Sequence, residues 1–148
     1  MAVRAMSVSE WTQPRCELTV RVEGDKITIT FPEPTPSLNP LHGAHWSRIV
    51  RERRKWRGYA AEAALQLRSH PPCTYPVLPL KRAVVSLTRY GARALDYDGL
   101  VGGAKAAIDS LVRAGFLAGD SPAHIGNPVY HQEVGSDRKT IITLESLT

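Results

Sequence analysis

The sequence is poor in the features that characterise secreted and membrane proteins. Its 148 residues include only two cysteines, Cys16 and Cys73, whose separation matches neither a zinc motif nor a CxxC redox motif. A disulfide scaffold is therefore not expected, and a reducing cytoplasmic setting fits best. No apolar run approaches the roughly 20 residues of a membrane-spanning helix, and the N-terminus lacks an apolar signal core. We expect a cytoplasmic protein with no membrane partner.

Common catalytic motifs are also missing, and basic residues outnumber acidic ones. The sequence contains no Gly-rich phosphate loop, no GxSxG and no HExxH motif. Its 14 acidic residues are outnumbered by 19 basic ones, which gives a net charge of +5. This excess suits a polyanionic partner, because phosphate contacts release counterions, but it also occurs in proteins that are merely basic. The distribution of charge along the chain must decide between the two.

The composition is that of an ordinary globular protein, with 43% hydrophobic and 22% charged residues. Residues 1–14 show no periodicity, so we expect a flexible leader there and a single domain over residues 15–148. Apolar residues alternate over 18–22 and 27–31 around a Gly-containing turn, which predicts a β-hairpin. Proline-rich segments at 32–40 and 70–79 predict extended loops.

Two helices and three further strands complete the predicted fold. The first helix, roughly 46–67, is expected to direct one apolar face to the core: Trp46, Ile49, Val50, Trp56, Ala60, Ala63, Ala64 and Leu67. The second covers about 98–114 and ends at Gly115. Strands are expected at 83–90, 128–134 and 140–144. The order favours an α+β class with a small mixed sheet, built mainly from hairpins, and two main helices.

The most informative acidic residues are Asp96 and Asp98, expected at the end of the strand that begins at Ala83. Residues two apart in a strand point to the same side, and two close carboxylates repel unless a cation lies between them. A hard divalent cation is the usual solution.

The helix that follows carries a second pattern. Asp98, Gly102, Lys105 and Asp109 lie on one face, opposite an apolar face. Two adjacent glycines inside a helix cost about 1 kcal/mol each relative to Ala, which makes sense if a backbone or a ligand approaches closely there. The simpler alternatives are a frayed helix start at the glycines and an ordinary surface pair of Lys105 with Asp109.

The segment 96–121 resembles the signature of the RusA family of Holliday-junction resolvases. Its residues Asp96-Tyr97-Asp98-Gly99-Leu100, Lys105, Asp109-Ser110-Leu111, Ala114-Gly115 and Asp120 follow the family order D-x-D-N-L, K, D-x-L, A-G and a further acid. The segments around Pro36-Ser37-Leu38-Asn39 and His45-Trp46 also resemble phage-type members. The similarity covers roughly residues 32–145.

The resemblance implies a RusA-like fold and a homodimeric, Mg²⁺-dependent endonuclease that resolves four-way DNA junctions by paired nicks. Mn²⁺ would be a substitute metal. By position, Asp96, Asp98 and Asp120 would bind the metal, and Lys105 would be the catalytic cation. General chemistry agrees with these roles, because a metal generates hydroxide near neutral pH and a fixed cation stabilises the pentacoordinate phosphorus.

The first helix is strongly basic. Six cations and one acid fall within residues 48–57, and an uncompensated run of cations is poorly explained by solvation alone. We therefore expect phosphate contacts from Arg48, Arg51, Arg54, Lys55 and Arg57. His42 and His45 precede this helix without a third metal ligand, which favours loop ordering or a phosphate contact over metal binding.

Two alternatives stay open at this stage. Gly99 stands where the family motif has Asn, and Asp120 lacks a neighbouring acid, so the chain could be a RusA-like module that binds branched DNA with weak or no cleavage. The other alternative is a nuclease that prefers flaps or single strands.

Overall fold

The computed structural model describes residues 16–38 and 46–147. Along the chain the elements are β1 (Thr19–Glu23), β2 (Lys26–Phe31), α1 (Trp46–Arg68), β3 (Ala83–Gly91), α2 (Tyr97–Arg113), α3 (Pro122–Ile125), β4 (Val129–Val134) and β5 (Lys139–Ser146). The predicted α+β class with two main helices is confirmed, and every predicted helix and strand is present. The predicted leader, and both His42 and His45, lie outside the described residues. None of the helices in the described ranges is both long and apolar enough to cross a bilayer.

The five strands form one sheet in the order β1-β2-β5-β3-β4. The last strand therefore lies in the middle, antiparallel to both β2 and β3, and Ile142 pairs with Ile29 on one side and Leu87 on the other. The expectation of a mainly hairpin-built sheet is wrong beyond the first two strands. Strand β4 runs parallel to β3, and a parallel pair needs a long crossover, which α2 supplies.

The core lies between one face of the sheet and the two long helices. Helix α1 buries Trp56, Ala60, Ala63 and Leu67, as its periodicity predicts. The Trp56 ring is fully buried and packs 5.1 Å from the ring of Phe31. Burial of large aromatic surface of this kind dominates core stability.

Trp46 contradicts the prediction that it faces the core, because 76% of it is exposed. The buried part of α1 begins at Trp56, ten residues later, which corresponds to about 15 Å along the axis. The first turns of α1 therefore extend past the covered core. Helical spacing identifies a face of a helix, but it does not show how far along the helix that face is covered.

The glycines of α2 accommodate the backbone of the loop that follows β2. A β-carbon at Gly102 would overlap the carbonyl oxygen of Leu38, and one at Gly103 would overlap that of Pro36. The prediction of a close backbone approach is confirmed. The alternative of a frayed start is wrong, since the helix already begins at Tyr97. We call Gly102 and Gly103 the glycine notch.

Polar side chains of the sheet, two of them buried, hold the loops that precede α1 and α2. The Arg89 guanidinium is buried and donates from Nε to the Thr35 carbonyl at 2.7 Å. The Thr140 hydroxyl, also buried, accepts from the Thr35 N–H at 2.9 Å. The Gln132 amide bonds both the N–H and the carbonyl of Leu95, at 2.7 and 2.9 Å. Because buried polar groups are costly unless bonded, these contacts fix the path of both loops.

Candidate nucleic-acid interface

A cavity of about 390 Å³ lies between α1 and α2. Its charged lining residues are Arg53, Arg57, Lys105, Asp109, Arg113 and Asp120. We call it the cationic cavity. The first half of α1 meets the second half of α2 here, and the C-terminal ends of both helices meet further along, around Leu67 and Ala114. The two helices therefore run side by side in the same direction.

Helical spacing explains why these side chains share one space. Arg53 and Arg57 are one turn apart on α1, and Lys105, Asp109 and Arg113 follow one another by single turns on α2. Asp120 comes from beyond the helix end. The chain reverses at Gly115, whose φ of 89° suits glycine, and returns beside α2.

The four cations of the cavity are not neutralised by salt bridges. Within residues 16–38 and 46–147, the ion pairs closer than 4.0 Å are Arg21–Glu23, Lys55–Glu33 and Lys55–Glu52. None of them involves a residue of the cavity. Four cations against two carboxyl groups leave an excess of positive charge, and a concave surface focuses such a potential and attracts anions. The arrangement is therefore suited to a phosphate group or another polyanionic ligand.

The two carboxyl groups of the cavity interact directly with each other. Burial, a hydrogen bond with Asp120 and the charge of Asp120 raise the pKa of Asp109 to about 6, while Lys105 and Arg53 oppose the shift. Two carboxyl groups in contact hold a proton between them more readily than either does alone. Asp109 therefore changes its charge near pH 6.

The structure brings together three of the predicted site residues, Arg57, Lys105 and Asp120. It places Asp96 and Asp98 elsewhere, at the N-terminal end of α2. Their expected position at a strand end is wrong, because β3 ends at Gly91. Asp96 is instead the N-cap of α2, and Asp98 lies in the first turn of the helix. Acidic residues at these positions stabilise a helix through capping and its dipole.

The glycine that departs from the family motif has a local explanation. Asp96 Oδ1 accepts a hydrogen bond from the Gly99 N–H at 2.9 Å. A β-carbon at Gly99 would overlap the Ser37 hydroxyl and lie 2.6 Å from that same carboxylate oxygen. Glycine here lets Ser37 and the capping carboxylate approach the first turn of α2 together.

The three carboxylates implied as metal ligands do not converge within one chain. Asp98 and Asp109 are eleven residues apart on one helix, which separates them by about 16 Å along its axis. Asp120 lies against Asp109. In the described part of the chain, no group of three His, Cys, Asp or Glu side chains is arranged to hold a metal ion. Oxygen ligands of Mg²⁺ lie at about 2.0–2.1 Å, so Asp96, Asp98 and Asp120 do not fit a single shared ion.

The five basic residues of α1 that were predicted to contact phosphate divide into three groups. Arg48, Arg51 and Arg54 are exposed on the outer surface, and Arg57 lines the cavity. Lys55 instead pairs with Glu33 at 2.5 Å and Glu52 at 3.0 Å. Burial lowers the pKa of Lys55, but hydrogen bonds and the charges of both glutamates outweigh it, and the net shift is upward. These ion pairs give Lys55 a role in joining α1 to the loop after β2.

Sequence reasoning missed Arg53, Asp109 and Arg113 as members of the site. The pattern was visible in part, because Arg113 continues the Lys105–Asp109 spacing by one more turn and Arg53 precedes Arg57 by one turn. Which helix faces meet could not be read from either helix alone.

Comparison of the sequence with protein-family models and with curated proteins gives no match.

Proposed function

We propose that the protein is an endodeoxyribonuclease that cleaves four-way DNA junctions in the cytoplasm, with the cationic cavity as its phosphate-binding site. The observation that carries this proposal is the meeting of Lys105 and Asp120 in one cavity with two arginines of α1 and one of α2. A homodimer suits such a substrate, because a four-way junction is two-fold symmetric and a symmetric dimer offers two matching sites.

The cavity offers the groups that phosphodiester hydrolysis requires. Negative charge accumulates on the pentacoordinate phosphorus, and Lys105 with Arg53 and Arg57 would stabilise it from fixed positions. The Asp109–Asp120 pair would transfer protons, since the pKa of Asp109 is about 6 and proton transfer is most efficient near the working pH. Asp120 would take part in this transfer through its contact with Asp109.

Magnesium dependence, with manganese as a substitute, is proposed on the family resemblance. Asp96 and Asp98 would be its ligands, together with water, since Mg²⁺ is commonly held by one or two carboxylates. Asp98 lies seven residues before Lys105, about 10 Å along α2, so an ion there would meet a different phosphate from the one in the cavity. The experiment below tests this assignment separately from the cavity.

Cleavage of a synthetic four-way junction tests the proposal. With Mg²⁺, the wild type should introduce paired nicks, while Lys105→Ala and Asp120→Asn should lose about 100-fold or more in rate and retain junction binding. Lys26→Ala, a charge removal on the β1–β2 hairpin, is the matched control and should cleave normally. Wild-type rates in Lys105→Ala would refute the cavity as the active site. Full cleavage by Asp98→Asn would refute the metal assignment alone.

A second candidate function is a module that binds branched DNA without cutting it. The separation of Asp96 and Asp98 from the cavity favours this alternative. Calorimetric titration with Mg²⁺ distinguishes the two, because a binding module should show no heat that depends on Asp96 or Asp98.

Comparing junction, flap and linear duplex in the same cleavage assay separates a resolvase from a flap or single-strand nuclease.

A further inference from the structure

We infer that Trp46 is a stacking platform for an unpaired nucleobase of a DNA strand whose phosphates occupy the cationic cavity. The inference rests on the proposed action on DNA and adds a class of substrate to it, a strand with at least one base outside a duplex.

The exposure of Trp46 is the first observation. Trp46 is 76% exposed, whereas Trp56 of the same helix is fully buried. A tryptophan side chain is the largest apolar surface that a residue can present, and its burial dominates the energetics of interfaces. The ring of Trp46 has no aromatic partner among the described residues, since the ring contacts join Phe31, Trp56 and Tyr59. Its flat surface is therefore open to a ligand.

The position of Trp46 on α1 is the second observation. At 3.6 residues per turn, Arg53 and Arg57 lie within about 20° of Trp46 around the helix axis. Arg53 is seven residues further along, which corresponds to roughly 10 Å. The exposed ring therefore lies on the same face of α1 as the two arginines that line the cavity. Ten ångströms is about three base steps at the 3.4 Å rise of a duplex strand.

The positive charge of the cavity indicates which kind of partner binds the α1 face that carries Trp46. The cations of the cavity make no salt bridge within the described ranges and outnumber its carboxyl groups by four to two, so an anionic partner suits this face. A second copy of this chain carries the same cations, and a two-fold contact centred on this face would bring the two sets of cations together. A nucleic-acid strand fits both features of this face, since its phosphates pair with the arginines and its bases stack on the ring of Trp46.

The stacked base must be unpaired. Bases within a duplex are already stacked on their neighbours, and only a base outside the duplex presents a free face to an aromatic side chain. Branch points and single-stranded segments offer such bases. The face formed by Trp46, Arg53 and Arg57 therefore selects the unpaired part of a branched substrate.

Binding without metal tests this inference. The wild type, Trp46→Leu and Trp46→Phe are each titrated with a dT oligonucleotide of about eight residues and with a linear duplex, in EDTA. Trp46→Leu should bind the oligonucleotide about 5- to 100-fold more weakly and the duplex unchanged. Trp46→Phe should restore most of the affinity, because it keeps an aromatic face. The oligonucleotide should quench the fluorescence of the wild type, and most of that quenching should be absent in Trp46→Phe.

The outcomes separate the inference from the proposed function. Equal weakening on oligonucleotide and duplex, or no weakening on either, overturns the role of Trp46 in stacking. A change from dimer to monomer in Trp46→Leu, measured by sedimentation, also overturns the stacking role of Trp46, because the ring would then belong to a contact between copies. A wild type that binds neither DNA refutes the proposed function as well. Trp46-dependent oligonucleotide binding without any cleavage supports the inference alone.

Discussion

Among single residues, Asp109 has the most unusual surroundings. Its carboxyl group lies in a half-buried position, bonded to a second carboxyl group and close to Lys105 and Arg53. The two cations lower its pKa, yet burial and the contact with Asp120 raise the pKa further, to about 6. A carboxyl group that resists ionisation beside two cations is costly to keep in a folded protein, and perturbed groups of this kind concentrate at functional sites.

The raised pKa of Asp109 predicts a pH-dependent stability. In the folded protein this group keeps its proton up to about pH 6, but in the unfolded chain it loses it near 3.8. The folded state therefore binds more protons between these values, and its stability is greatest below about pH 4 and falls as pH rises through 6. The whole shift corresponds to about 3 kcal/mol, which partial exposure reduces to about 1–2 kcal/mol.

Asp109→Asn should remove this contribution. Urea unfolding at pH 4 and pH 7 should show that the wild type loses about 1–2 kcal/mol more than the variant over this range. Asp137→Asn, a change at an exposed aspartate of the β4–β5 connection, should keep the wild-type dependence. Identical pH dependence in wild type and Asp109→Asn would contradict the raised pKa.

At the scale of elements, the contact between α2 and the loop after β2 has the tightest geometry. The glycine notch brings the carbonyl oxygens of Pro36 and Leu38 directly onto the helix surface. Arg89 and Thr140 hold the same loop from the sheet side through the backbone of Thr35. The loop is thus fixed from two directions, and with it the position of Ser37 beside the N-cap of α2.

The glycine notch predicts that a normally favourable substitution is destabilising. Alanine in place of glycine usually stabilises a helix by about 1 kcal/mol, but at Gly102 its β-carbon would meet the backbone of Leu38. We expect Gly102→Ala to lower the free energy of unfolding by about 1–3 kcal/mol, the usual cost of overpacking. Urea denaturation measures it.

Gly58 provides the matched control for that measurement. It lies inside α1, is exposed, and a β-carbon there would meet nothing within 4 Å. Gly58→Ala should therefore raise the free energy of unfolding by about 0.5–1 kcal/mol. If both alanine variants stabilise the protein, the close approach at Gly102 is not rigid.

For the whole molecule, the important property is where the positive charge lies. Helix α1 carries exposed arginines on its outer surface and directs Arg53 and Arg57 toward α2, whereas Lys55 is held by two glutamates. Helix α1 alone carries seven cations and two acids, so positive charge is concentrated along this helix, next to the cavity. Such a distribution orients a polyanion before contact.

This distribution predicts the salt dependence of DNA binding. Replacing both Arg53 and Arg57 with Ala should weaken binding and reduce the slope of log K against log salt concentration by about 2, at about 0.9 per phosphate contact. Arg21→Ala with Lys26→Ala removes the same charge from the β1–β2 hairpin and should leave the slope unchanged. Equal slopes for the two double variants would show that binding is not localised at the cavity.

Much of this organisation follows from local patterns. Alternating apolar residues locate β1 and β2, helical spacing locates α1 within one residue of its end, and Gly115 marks the end of α2. The proximity of a backbone to Gly102 was also predictable, because two glycines inside a helix need a reason. These properties depend on the hydrogen bonding and the amphipathic faces of neighbouring residues, which the sequence specifies directly.

The tertiary structure decided which distant segments meet. It placed β5 between β2 and β3, set α1 and α2 side by side in the same direction, and brought Asp120 to Asp109 rather than to Asp96 and Asp98. It also left Trp46 exposed, although its spacing matches the buried residues of α1. A periodic pattern identifies a face of an element, but which neighbour covers that face depends on packing between segments that are far apart in the chain.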